Sequence, residues 1–300
     1  MPQLPRMPTF FARCLWLACL LACIADVAAQ TPRLPWPLGP AATKKLTPDE
    51  AIKFVAELGP EVVRIAKDEV IDTEWGKLRL TAAKQADIER YLPLLAEELR
   101  LLGKPLLQRL DVKQIVLCGG MKLGEVVRGA IPRPSASVMY YDVAWGNWSP
   151  VYQRRCVHHE LFHYLDERDD GQLWRDPAFA KLNPKDFKYG NGGASAQGDS
   201  SASLPSETHP GFLTPYARSG VEEDKAEVFS FLLVDPTYVA QRCATDKVLQ
   251  QKVDFVRALL LKYCAEFGAE AWPKPKPEPA KKAKPAPPKG KAKQLVESPR

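Results

Sequence analysis

The stretch CVHHELFHYLDE, residues 156–167, contains three of the chain's four histidines. His159, Glu160 and His163 stand there in the order H-E-x-x-H. On a helix, residues four apart project from one face a turn apart, so both imidazoles reach a single ion. Glu160, one position along, leans beside them and can hold a water carried by that ion. The stretch predicts a helix, starting near Pro150 and ending near Gly171, that presents two nitrogen ligands and a general base to zinc. His158 belongs to the other face and reads as a surface residue or one that supports a ligand. The plain alternative is a histidine-rich amphipathic helix with solvated acids.

Two positions offer a third ligand. Asp169 lies ten residues after His159, where the metzincin pattern H-E-x-x-H-x-x-G-x-x-H/D places its own. That pattern needs a helix-breaking glycine at position 166, and this chain has Asp166. Without the turn, Asp169 continues down the helix and away from the ion. The other position lies in YARSGVEEDKAEVFSFLL, where a helix is predicted from Val221 to Leu233. Glu223 and Glu227 are four apart on it, and Val228, Phe231 and Leu232 mark its apolar side. Glu223 would bind the ion, and Glu227, one turn on, would accept a hydrogen bond from a ligand histidine. A solvated acidic face is the alternative.

These residues resemble the gluzincins related to the catalytic domain of anthrax lethal factor. That pattern is H-E-x-x-H-x-x-D, then a Tyr, then a Glu seven residues later opening E-x-x-A-E. Here it falls on His159, Glu160, His163 and Asp166, then Tyr216, then Glu223, Ala226 and Glu227. The resemblance spans roughly residues 80–267 and is carried by the short motifs. It implies one Zn2+ per chain on His159, His163 and Glu223, an oxyanion hydrogen bond from Tyr216, supporting roles for Asp166 and Glu227, and a peptide or protein substrate. It also implies an α+β, zincin-like fold: a small mixed sheet, an active-site helix and a C-terminal helical subdomain. The Gly/Ser-rich insertion GNGGASAQGDSSAS, ahead of Tyr216, departs from the pattern.

The rest of the domain reads as helix, strands, helices. Thr47, Pro48 and Glu50 form the start signal of a first helix, with a capping box. A second runs from about Ala83 to Leu102, with a kink expected at Pro93. QIVLC, EVVRGAI and SVMYYDV are strand candidates, and SVMYYDV is a candidate edge strand for pairing with an extended substrate. One long helix is expected from roughly Thr237 to Phe267.

The ends set the expected location. Residues 1–29 have Arg6 and Arg13 ahead of an apolar run and small residues Val27 and Ala29 before Gln30, the form of a cleaved export signal. LLAC, ending in Cys23, offers a competing lipoprotein reading, so the chain is expected in the periplasm or outside the cell. Residues 30–45 form a linker, 46–272 the catalytic domain and 273–300 a tail. Cleavage leaves Cys118, Cys156, Cys243 and Cys264, an even count that predicts Cys118–Cys156 and Cys243–Cys264 disulfides on sequence proximity. The absence of any CxxC spacing argues against a thiolate zinc site.

The formal net charge of +6 belongs to the tail. Residues 273–300 hold eight Lys and one Arg against Glu278 and Glu297, a net of +7 that leaves −1 on the remainder. The domain needs no basic face, which removes the main support for nucleic-acid binding. The tail is too poor in apolar residues to build a core, and fits either weak contact with anionic envelope polymers or a solubilising role. Two other functions remain open at this stage: an envelope-binding protein without catalysis, and a zinc hydrolase or amidase acting on wall material.

Overall fold

The run QIVLC is apolar at nearly every position because strand β4 (Gln114–Cys118) is covered on both faces. The computed structural model describes residues 45–193 and 202–276. The expected signal, Cys23, nearly all of the linker, most of the Gly/Ser-rich insertion and the tail beyond residue 276 lie outside them. Strands β1 (Glu61–Arg64) and β8 (Val138–Asp142) flank β4 in parallel, and β7 (Ala130–Arg133) pairs antiparallel with the outer side of β8. The sheet order is therefore β1–β4–β8–β7.

Ile115 and Leu117 of β4, with Met139 and Tyr141 of β8, face the main core beneath the helices. Val116, Cys118 and Tyr140 face the other way. There they meet a second, antiparallel sheet of β2 (Glu69–Thr73), β3 (Gly76–Thr81), β5 (Gly120–Leu123) and β6 (Val126–Val127), through Leu78, Leu80 and Met121. The segment EVVRGAI is thus two short strands in different sheets.

Helix α1 (Pro48–Leu58) starts as expected: the Glu50 amide donates to Thr47 Oγ1, and the Thr47 amide donates to the Glu50 carboxylate at 2.8 Å. Helix α2 (Gln85–Leu110) runs past its expected end, and its break falls at Gly103, not Pro93. Gly103 takes φ 69°, a left-handed value, two residues ahead of Pro105, whose ring cannot continue the preceding hydrogen-bond ladder. Helix α3 (Pro150–Asp170) carries H-E-x-x-H between a Ser149 N-cap and a Gly171 C-cap, and the short α4 (Pro177–Ala180) follows. Helix α5 (Val221–Val234) packs across α3. The single long C-terminal helix expected from the sequence is two, α6 (Pro236–Cys243) and α7 (Lys247–Tyr263), because the Asp246 side chain caps a new helix by accepting from the Leu249 amide.

Two further expectations are corrected. SVMYYDV is not an edge: β8 lies between β4 and β7, and the edges of this sheet are β1 and β7, of which β7 lines the cleft. No disulfide forms among the described residues, where Cys118, Cys156, Cys243 and Cys264 are all free thiols. Cys118 points into the space between the sheets, on the face away from α3, which carries Cys156. Cys243 and Cys264 flank the 17-residue α7. Cys243 lies near Asp254 and Arg257, midway along α7, whereas Cys264 follows its last turn, a separation of about 10 Å or more that is still beyond disulfide reach.

The result is the α+β, zincin-like arrangement: a small mixed sheet, the H-E-x-x-H helix, and a C-terminal helical region.

Candidate metal centre

Helices α3 and α5 each bring half of the centre. α3 is buried from Gln153 through Asp166 at most positions, so His159 and His163 leave it into the interior. α5 is buried on every side although it carries Glu222, Glu223, Asp224, Lys225 and Glu227. Charges there persist only with partners. Lys225 Nζ lies 2.5 Å from Asp166 and 3.3 Å from Asp176. Asp224 lies 2.6 Å from Lys252 Nζ and accepts from the Tyr189 hydroxyl. The two ion pairs tie α5 to α3 and α7. Burial still raises Asp166 and Asp224, each to about 6, against the pull of their lysines.

Glu223 and Glu227 straddle one imidazole. His159 Nε2 is 2.9 Å from Glu223 Oε2, and its Nδ1 is 2.9 Å from Glu227 Oε1. His163 Nε2 is 3.6 Å from the same Glu223 oxygen. Both His159 nitrogens face carboxylates, which suits a doubly protonated ring. Burial lowers its pKa, but hydrogen bonds to Glu223 and then Glu227 carry it well above the ordinary value. His163 is raised in the same way through Glu223, and Glu223 itself is held well below the carboxylate range by the two imidazoles despite its burial. Glu227 is further fixed by the Thr214 hydroxyl, which donates to Oε2 at 2.8 Å.

The donor set fits zinc. Ligand atoms of His159, His163 and Glu223 lie within 4.8 Å of one another, and all three residues are buried. Tetrahedral zinc with bonds near 2.1 Å separates its ligand atoms by about 3.4 Å, between the two Glu223–histidine distances seen here. Asp169 is not part of the set and instead meets Lys262 at 3.1 Å.

Glu160 is half-buried beside the pair, and desolvation raises its pKa, with the histidines opposing. Tyr216 sits on a short 3-10 turn, its ring centroid 5.9 Å from that of His159 and its hydroxyl hydrogen-bonded to Glu223. Burial and then Glu223 raise that phenol well above its ordinary value. Gly193, at the start of the insertion, presses on the same two groups. A Cβ there would lie 2.0 Å from Glu223 Oε1 and 2.3 Å from the Tyr216 hydroxyl.

The sequence reading placed His159, Glu160, His163, Tyr216, Glu223 and Glu227 in one site, and the structure brings all six together. Asp166 points instead to Lys225. His158 is buried, with Nε2 2.7 Å from Glu98, which also receives Arg154. It was misread because Glu98 of α2 and Phe229 of α5 close over that side of α3. Thr214, Lys225 and Gly193 gave no sequence signal, since each acts through a partner distant in the chain.

Two depressions meet over the centre, and His159, Glu160 and Tyr216 line both. One, of about 780 Å³, extends past Trp75, Trp174 and β7. The other, of about 370 Å³, is walled by Trp145, Trp148 and Tyr152.

No curated protein matches the chain. Among solved structures, a putative zinc-binding metallo-peptidase from Bacteroides caccae aligns at 18% identity and a TM-score of 0.42, over 74% of this chain and 88% of that one. A family model described as a putative zinc-binding metallo-peptidase matches residues 84–264, a span that includes every residue of the centre. The chain belongs to that family, described as putative zinc-binding metallo-peptidases.

Proposed function

We propose that the chain is a gluzincin-type zinc peptidase related in arrangement to the lethal factor catalytic domain, exported, with one zinc on His159, His163 and Glu223. The observation that carries this reading is the convergence of those three buried side chains with Glu160 alongside. Bound zinc would polarise the scissile carbonyl and acidify the attacking water.

The chain's own groups supply the proton transfers and the hold on substrate. Glu160 takes the proton of the attacking water and later delivers it to the leaving amine, a task suited to a carboxylate whose pKa is raised by burial. The Tyr216 hydroxyl, protonated at any working pH, donates to the oxygen that becomes an oxyanion. Glu227 holds the ring of His159 from behind. The free edge of β7, lining the cleft, offers backbone groups to an extended peptide.

The test is Glu160→Gln in the zinc-loaded protein against a mixed peptide substrate. Zinc retention with a loss of about 10²–10⁴ in turnover is expected. Unchanged hydrolysis by the variant would refute the assignment.

A further inference from the structure

Among the described residues, two arginines have a buried Nε with no hydrogen-bond partner, and each lines one depression: Arg128 the larger, Arg155 the smaller. Arg155 is otherwise engaged. It donates to the Ser203 carbonyl and lies 4.3 Å over the Phe231 ring. Arg128 makes no ion pair and no side-chain hydrogen bond among the described residues.

The backbone that carries Arg128 is firmly held. It lies in the short link between β6 and β7, where its own amide donates to the Met121 carbonyl at 3.0 Å. The next carbonyl, of Gly129, accepts from the Asp142 amide at 2.9 Å. Gly129 is pressed by the Trp145 ring, which a Cβ there would meet at 2.3 Å. Because Gly129 pairs toward β8, Ala130 turns its N–H and C=O to the open side of β7. Arg128 therefore stands at the head of the strand edge that lines the cleft.

The acids of the larger depression do not neutralise it. Glu74 is taken by Arg133 at 2.8 Å and by the Ser135 hydroxyl. Glu223 is shared by the two imidazoles, and burial raises Glu222 toward its neutral form. Glu167 lies at the other end of β7, beside Pro134. Desolvation raises Glu160, and Arg128 opposes that rise after the two histidines, so the arginine is near the base without forming an ion pair with it. A guanidinium stays charged at any working pH and offers Nε and a terminal nitrogen as parallel donors, the match of a carboxylate. A neutral guest would leave the buried Nε unpaired, and a cationic one would be repelled.

We infer that Arg128 is the receptor for a carboxylate that the substrate carries close to the cleaved bond. Two sources supply that group, an Asp or Glu side chain and a free C-terminus. The word substrate rests on the peptidase reading above; the anion site does not.

The experiment uses the zinc-loaded full chain and three hydroxamates of matched length that end in a carboxylate, a primary amide or an ammonium group. The hydroxamate seeks the zinc, so the other end samples the cleft without turnover. The carboxylate should bind at least about tenfold more tightly than the amide, the size of a hydrogen bond to a charged group, with the ammonium weakest. Arg128→Gln should cut the carboxylate-to-amide ratio to about twofold or less. Arg128→Lys, a point charge without the fork, should give a ratio in between. Zinc content and circular dichroism confirm that each variant is intact. Equal binding of carboxylate and amide, tighter binding of the ammonium, or a ratio unchanged in Arg128→Gln would overturn the inference.

Peptides then identify the source. One pair differs only by Asn or Asp beside the bond, and another only by an amidated or free C-terminus. The pair that contains the true source should differ at least about tenfold in kcat/KM, and Arg128→Gln should remove the difference. Hydrolysis with no preference in either pair refutes the role in substrate recognition. If no peptide is cut while the hydroxamates are still sorted through Arg128, the anion site stands and the peptidase reading alone fails.

Discussion

Glu227 Oε1 meets His159 Nδ1 at 2.9 Å, on the opposite side of the ring from Glu223. One turn of α5 therefore supplies both the group that shares an ion with His159 and the group that fixes its orientation. Replacing Glu227 by Ala should weaken zinc binding about 10–100-fold while leaving the chain folded. Glu223→Ala, which removes a ligand atom, should abolish stoichiometric zinc. Chelator competition on both variants, with circular dichroism as the folding control, checks the difference.

Protons and zinc compete for the same imidazoles, so pH should act in a defined direction. His159 and His163 have pKa values raised above the ordinary 6.5 by Glu223, with Glu227 adding to His159, against the effect of burial. Their contribution to metal-free stability is complete below 6.5 and is lost as pH climbs through the raised values. Glu223, depressed from 4.5, contributes stability present above that pH and lost as pH falls toward its lowered value. The metal-free chain should therefore gain most from this cluster between about pH 4.5 and 6.5, where both sets of groups are charged. Zinc should raise the melting temperature increasingly as pH climbs above 6.5, because these imidazoles must lose their protons to bind it. Melts with chelator and with zinc, below and above that pH, test both statements.

Lys225 neutralises Asp166 and Asp176 in the interior. Lys225→Met should cost about 3–5 kcal/mol, because it leaves buried carboxylates without a cation. Adding Asp166→Asn should recover part of the loss. Denaturant unfolding of the single and double variants measures both.

Gly193 has no room for a side chain. Gly193→Ala should displace Glu223 or Tyr216 and lower zinc affinity or turnover with little change in melting temperature. Wild-type values for both would show that the insertion gives way freely.

The centre was legible in the sequence because each half is local. Four-residue spacings place His159 with His163 and Glu223 with Glu227, and nothing tertiary is needed to see either pair. The sheets were less legible. β8 is the more apolar strand because it is interior, so it drew attention as a substrate partner, while Pro132 disguised the real edge. The hairpin of β2 and β3 was missed because β2 is mostly exposed and only Leu78 and Leu80 of β3 are buried, too few apolar positions to stand out in the sequence. The ion pairs of Lys225 and Lys252 join residues far apart in the chain, so nothing in the sequence signalled that the other charges on α5 form an interior network.

Pro132 has a consequence beyond substrate. An open strand edge invites a second copy of the same chain to extend the sheet, the first step toward aggregation. β7 has one outward donor, at Ala130, and Pro132 supplies none where the next would stand. A short guest held also by the metal centre can use so sparse a ladder, whereas a neighbouring sheet needs a continuous one. The same proline that hides the strand from a reader of the sequence keeps the cleft open to visitors and closed to its own kind.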